Sequence, residues 1–312
     1  MDQAEGLRTL IRKNRDGIES PIPYPENRGD SSFDRLPRVL SVTSGKGGVG
    51  KTNVVANLAF AFTQIGKRVL VLDADLGLAN IDILLGLTPQ YTIEHFFSGK
   101  KIFSDILVKG PGGMSIMPAS SGVLDLVDLN ESQKIFLLNE IEFISESIDI
   151  LLIDTGAGIS SNVMYFNMAA QESIVIVTPE PTSITDAYAL IKVLSTKFHK
   201  KEFLILVNLV NDFLEAEEVF RKISRVADRF LDSLSIDFLG FIPVDKKLPM
   251  AVRHQRPVLE FFPKAPSSKR FMELAKTLSG RPLRSHGVGS VQFFWKQLLQ
   301  WDHQIHQEGE RV

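Results

Sequence analysis

The sequence predicts an α/β fold: a doubly wound, mostly parallel sheet with helices on both faces. Short apolar runs without alternation recur along the chain, as strands buried on both faces require. Helical stretches separate these runs, the order expected of a parallel sheet with covered faces. Between the first run and the first helix, Gly45–Thr52 fits the pattern Gly-x-x-x-x-Gly-Lys-[Ser/Thr], a phosphate loop in its proper strand–loop–helix setting.

The elements follow in order. Arg38–Thr43 reads as the first buried strand, and Val54–Phe62 as the apolar body of a helix that opens near Lys51. Val69–Leu72 is a second strand, running out into Asp73-Ala74-Asp75. Met114–Met117 is a short strand, Lys134–Ile144 a helix and Ile148–Asp154 another buried strand. Ser173–Thr178 is a strand followed by a helix over Ile184–Phe198. Glu202–Asn208 is the next strand, with a helix after it across 214–233, and Asp237–Pro243 closes the series. A last helix near Ser267–Leu278 stops at Gly280.

The phosphate loop states its own chemistry. A phosphate chain offers only acceptors, so backbone N–H groups hold it best. Gly45, Gly47, Gly48 and Gly50 let the backbone, with Val49 between them, wrap close to an anion. The helix that follows aims unpaired N–H groups and the positive end of its dipole at the same point. Lys51 supplies charge to the β and γ phosphates, and the Thr52 hydroxyl is placed to ligate Mg²⁺ directly. Asp154 ends the run Ile150-Leu-Leu-Ile153 and precedes Thr155-Gly-Ala-Gly158, so it is expected to hold Mg²⁺ through water. The alternative for Asp154 is capping of the next helix.

Composition narrows the classes. The chain has 312 residues, 44% of them hydrophobic, as in ordinary globular proteins. A net charge of −2 gives no support to nucleic acid as a partner. There is no cysteine, which excludes disulfides, cysteine-held iron–sulfur clusters and thiol catalysis in this chain. Met1–Glu5 lacks the apolar stretch of a secretory signal, and no apolar run is long enough to span a bilayer, so a cytoplasmic protein is expected. Residues 1–13 read as a short amphipathic helix, 14–36 as a proline-containing linker, 37–280 as the nucleotide-binding domain and 281–312 as a C-terminal helix and tail.

The loop Gly45-Lys-Gly-Gly-Val-Gly-Lys-Thr-Asn53 carries a second lysine, Lys46, and resembles the deviant Walker A motif of the MinD/ParA/nitrogenase-iron-protein class. The resemblance implies a homodimer that forms on ATP, with Lys46 reaching across the interface to the partner's nucleotide. Leu72–Asp82 is similar to switch I of MinD-type ATPases. It implies that Asp75 orients the attacking water and that Asp73 is a Mg²⁺ contact through water; turn or cap chemistry is the alternative for Asp73. The same resemblance assigns Asn208 to the adenine edge, with Pro243, Val244 and Asp245 as the other wall. A plain loop asparagine is the alternative at 208. Glu180, in Thr178-Pro-Glu-Pro181, is a further candidate for contact with nucleotide across the dimer.

The two ends point to a branch. Asp2-Gln-Ala-Glu-Gly-Leu-Arg8 resembles the N-terminal motif of the FlhG (FleN, YlxH) family, MinD-like ATPases of flagellar number and placement, and Asn53 fits that branch. The resemblance implies that Asp2, Gln3, Ala4, Leu7 and Arg8 engage the GTPase FlhF, with a flagellar basal-body protein or transcription regulator as a further partner. The alternative is a helix packed on its own domain. Near the other end, Val291, Phe294, Trp295, Leu298, Leu299, Trp301 and Ile305 fall on one helical face that holds both tryptophans. That suits reversible binding at the inner face of the cell membrane, although cations are scarce there. Docking of this helix on its own core is the alternative. Two rival functions share the loop. A ParA-like DNA-positioning ATPase needs a basic surface, and a non-catalytic scaffold does not need Lys46, Lys51, Asp75 and Asp154 together.

Overall fold

A computed structural model describes residues 37–75, 80–118, 140, 144, 147–231 and 234–282. The strands are β1 (Arg38–Ser44), β2 (Val69–Ala74), β3 (Val108–Lys109), β4 (Ser115–Met117), β5 (Ile150–Ala157), β6 (Glu172–Val177), β7 (Glu202–Val210) and β8 (Ser235–Pro243). They form one sheet in the order β3-β4-β2-β5-β1-β6-β7-β8. Every ladder is parallel except the short β3–β4 pair. β1 lies between β5 and β6, so the strand order reverses at β1 and opens a crevice at its carboxyl end. The helices are α1 (Lys51–Gln64), α2 (Ile81–Leu84), α3 (Ile93–Phe97), α4 (Ser161–Ala169), α5 (Pro181–Phe198), α6 (Phe213–Phe230), α7 (Lys247–Arg253), α8 (Val258–Phe261) and α9 (Pro266–Gly280).

The unbroken apolar strands are explained by burial on both faces. Along β6, Ile174 and Ile176 join one core with α1 and α9, while Val175 and Val177 join another with α5 and α6. β7 divides likewise, with Leu204 and Leu206 on the first face and Phe203, Ile205 and Val207 on the second. With a side-chain period of two and both faces covered, no polar position remains to mark the alternation.

The structure adds elements to those predicted. α4 was not foreseen: its sequence is apolar around most of its circumference and carries no single stripe, because Val163, Met164, Tyr165, Phe166 and Ala169 are all buried. The Ser160 side chain caps its start by accepting from the Val163 amide. α5 starts at Pro181 rather than Ile184, since proline is suited to the first helical position. α6 ends at Phe230, short of 233. The helix expected over Lys134–Ile144 falls mostly outside the described residues; Glu140 and Ile144 are helical. The segments 1–36 and 283–312 also lie outside them.

At the amino ends of the strands a partly buried ionic group ties the sheet together. Arg38 pairs with Glu172 at 2.8 Å, Arg281 pairs with Asp237 at 2.7 Å, and Arg38 donates to the Arg281 carbonyl at 2.8 Å. The start of β1, β6 and β8 and the residue after α9 are thereby joined.

Lys200 closes the end of α4. Its Nζ donates to the carbonyls of Asn167 at 2.7 Å and Ala170 at 2.9 Å. Burial pushes the ammonium down to about 8, against the pull of Glu172 and Glu202. Between that value and the ordinary lysine value the unfolded chain binds more protons, so stability rises with pH across this window. The expected gain is about 2 kcal/mol from pH 8 to pH 10. Guanidinium unfolding at both pH values checks it: the rise should vanish in Lys200→Met, and an equal rise in both proteins would refute it.

Candidate functional site

The loop from Ser44 to Gly50 joins β1 to α1 at the reversal point of the sheet. Gly48 and Gly50 have φ of 80° and 84°, the left-handed region that glycine enters without cost. Gly45 serves another need. A Cβ there would stand 2.1 Å from the backbone carbonyl carbon of Asp186, so glycine lets the loop lie directly on α5. At Gly47 a Cβ would meet nothing within 4 Å among the described residues. The Ser44 hydroxyl donates to the Lys46 carbonyl at 2.9 Å, and the Gly158 amide donates to the Ser44 carbonyl at 2.9 Å, tying the loop to the end of β5.

Lys51 reaches two of the three strand-end acids. Its Nζ donates to Asp154 Oδ1 at 2.6 Å and stands 3.8 Å from Asp75 Oδ2. The lysine side chain is 7% exposed and that of Asp154 0%. Burial raises the Asp154 carboxyl, while Lys51 and the nearby Thr52 hydroxyl pull it down. Asp154 Oδ2 is buried with no hydrogen-bond partner among the described residues. Asp73 faces Asp154 across the β2–β5 ladder. Its oxygens accept the amides of Asp75 at 3.1 Å, Asn80 at 3.2 Å and Ile81 at 3.3 Å. Burial and the neighbouring Asp154 push its carboxyl up to about 7. In this arrangement Asp73 shapes the turn into α2, which is the cap chemistry weighed for it.

The donor set fits a small hard cation. The free oxygen of Asp154, the Thr52 hydroxyl beside it and the half-exposed edge of Asp75 are all oxygen donors. Among the described residues no group of three or more His, Cys, Asp or Glu side chains converges on a metal position. A cation here would therefore complete its shell with phosphate and water oxygens, as Mg²⁺ does.

Lys46 lies against its own chain. Its Nζ contacts Glu180 Oε2 and, at 3.0 Å, Thr182 Oγ1 at the start of α5. Both charged side chains are open to solvent, so this pair holds Lys46 only weakly.

The carboxyl end of β7 is built on a bulge. The β7–β8 ladder shifts register between Asn208↔Ile242 and Val210↔Pro243. Leu209, between them, takes φ 60° and is 45% exposed. A leucine in this region costs on the order of 1–3 kcal/mol, a strain characteristic of functional positions. Asn208 is buried and donates from Nδ2 to the Val49 carbonyl at 2.8 Å. Val244 is exposed beyond β8. Asp245 accepts the Ser267 amide at 3.0 Å and the Ser267 hydroxyl at 2.7 Å, and the Lys247 amide at 2.9 Å, so it fastens α7 and α9.

The structure thus gathers Lys51, Thr52, Asp73, Asp75 and Asp154 around the loop, sets Lys46 on Glu180, and puts Asn208 on the loop's underside. Asn53, in the first turn of α1, gives its carbonyl to the Asn57 side chain at 2.8 Å. Asp2, Gln3, Ala4, Leu7 and Arg8, and the apolar set from Val291 to Ile305, lie outside the described residues. Two partners were missed, Thr182 and the Asp186 backbone. Both meet the loop only through folding, and no local pattern marks them.

Comparisons with known proteins agree with this geometry. The ParA family, described as NUBPL iron-transfer P-loop NTPase, matches residues 35–279. The chain is 44% identical over 263 residues to the antiactivator FleN of Pseudomonas aeruginosa strain PAO1, covering 84% of this chain and 94% of that protein. It is 30% identical over 306 residues to the flagellum site-determining protein YlxH of Helicobacter pylori strain 26695, covering 96% and 99%. Among solved structures, the MinC:MinD cell division protein complex of Aquifex aeolicus superposes with a TM-score of 0.60 at 31% identity, over 80% of this chain and 100% of that one. Among the described residues no helix is long and apolar enough to cross a membrane.

Proposed function

Because the chain belongs to the ParA family of P-loop NTPases, in the branch of FleN and YlxH, we propose that it is a MinD-like ATPase that dimerises on ATP and regulates flagellar number or placement. The observation that carries this reading is Lys51, held between Asp154 and Asp75 at the start of α1. A triphosphate entering the loop offers Lys51 a stronger anionic partner than Asp154. The lysine turns to the β and γ phosphates, and Asp154 is left beside the Thr52 hydroxyl.

Thr52 would hold Mg²⁺ directly, with Asp154 and Asp73 behind water, and the ion supplies charge neutralisation at the phosphates. Asp75 is the least buried of the three acids and orients the attacking water. Lys46 leaves its weak site on Glu180 and enters the partner's site, where Glu180 also lies near the nucleotide. Asn208, Pro243, Val244 and Asp245 border the base.

Outputs run through the two chain ends. Residues 1–13 engage a GTPase of the FlhF type, and a basal-body protein or transcription regulator is the second partner. The C-terminal segment 281–312 binds the membrane surface reversibly, with 14–36 as a linker. The names of the relatives, an antiactivator and a flagellum site-determining protein, support a regulatory output of this kind.

Solution mass of Asp75→Ala with Mg²⁺ and either ADP or ATP tests the dimer. The expected result is a monomer with ADP and a stable dimer with ATP, because hydrolysis can no longer reset it. A monomer that has bound ATP would remove the sandwich mechanism and leave Lys46 without its role.

A further inference from the structure

We propose that Asn208 is a positioning residue for the phosphate loop, joining the base edge to the loop through one carboxamide. The inference rests on the ATPase reading above and adds to it a direct link between base and phosphate subsites.

The geometry is specific. Asn208 Nδ2 donates to the carbonyl of Val49, the residue just before the cap of α1, across 159 positions of sequence. Both Asn208 and Val49 are buried. Glycine makes the room: a Cβ on Gly50 would stand 2.7 Å from Nδ2. The backbone aims the side chain. Leu209 takes its left-handed φ, the ladder slips by one residue, and the Leu209 amide donates to Asn208 Oδ1 at 3.0 Å.

Counting the amide's capacity gives the function. A primary carboxamide has two N–H donors and two acceptor lone pairs. The loop takes one donor and Leu209 one lone pair. Among the described residues one donor and one lone pair remain unspent, the two kinds of group that the donor–acceptor edge of a purine requires. Asn208 can therefore hold base and loop together, so that a bound base steadies the carbonyl from which the Gly50–Lys51 step begins. A residue that served the base alone would have no reason to spend a buried hydrogen bond on the loop.

Amide hydrogen exchange over residues 45–53 of the nucleotide-free full chain tests this in wild type, Asn208→Ala and Asn208→Asp. The aspartate keeps the shape and the acceptor toward Leu209 but has no donor for Val49. Both variants should exchange roughly tenfold faster in the loop, with β5 unchanged. With ATP, kcat should fall roughly tenfold beyond any rise in KM, because the loop and not only the base is misplaced. Loop exchange within about twofold of wild type in either folded variant would overturn the proposal, and a KM rise alone would reduce Asn208 to a base contact. If the alanine variant does not fold, the aspartate variant decides. Absence of ATP turnover in wild type would sink the ATPase reading while leaving the exchange comparison to stand.

Discussion

Lys51→Ala is expected to lose ATP hydrolysis and, separately, to destabilise the nucleotide-free protein by about 3–5 kcal/mol. The second effect follows from burial. Among the described residues Lys51 is the only charged partner within hydrogen-bond reach of Asp154, at 2.6 Å, and the carboxylate is fully buried. Its other oxygen already lacks a partner. Removing the lysine leaves an uncompensated charge in the sheet, which costs far more than the net worth of the pair. The Asp154 carboxyl then rises further and takes up a proton. The double variant Lys51→Ala/Asp154→Asn should recover most of the lost stability and none of the hydrolysis. Denaturant unfolding of the four proteins in the cycle, with phosphate release beside it, measures both. A single variant as stable as wild type, or one that turns over ATP normally, would refute the assignment.

Gly45→Ala is expected to cost about 3 kcal/mol or more in stability. The added carbon would stand 2.1 Å from a backbone carbon of α5 and 2.2 Å from its oxygen, and backbone does not swing aside as a side-chain tip does. Gly47→Ala is the control. It meets open space, so stability should change by less than about 0.5 kcal/mol. Its expected loss is in ATP affinity, about tenfold, since the space it enters is the space a phosphate approaches. Unfolding midpoints and ATP titrations of the two variants should therefore dissociate. Equal stability of both would show that the loop is free of α5.

Much of this was legible in the chain because it is local. Gly45–Thr52, the Asp73–Asp75 exit and Asp154 each sit at the end of an apolar strand, and contiguous residues announce them. The parallel sheet was legible for the same reason, since strands buried on both faces lack polar interruptions. The remainder depends on contacts between distant residues. Nothing near Lys46 in sequence names Glu180 and Thr182 as its resting partners, and nothing near Gly45 names Asp186. Glycine at 45 was read as room for phosphate, and the structure shows it also to be room for a helix. α4 was silent because a helix wrapped in apolar neighbours loses the stripe by which helices are recognised. Asp73 and Asn208 each had two readings: Asp73 accepts three backbone amides, as turn chemistry requires, whereas Asn208 lies within β7 and donates to Val49 across 159 positions, a contact that neither reading named.

The ionic group around Arg38, Glu172, Asp237 and Arg281 has a consequence for how the molecule can be moored. It pins Arg281, after which 31 residues follow, to the amino ends of the strands. The phosphate loop is at the opposite pole, about 20 Å away along β1. A pull applied to the chain after Arg281 would therefore enter the body at the end of the sheet opposite the phosphate loop, and would be borne by ion pairs that join three strands.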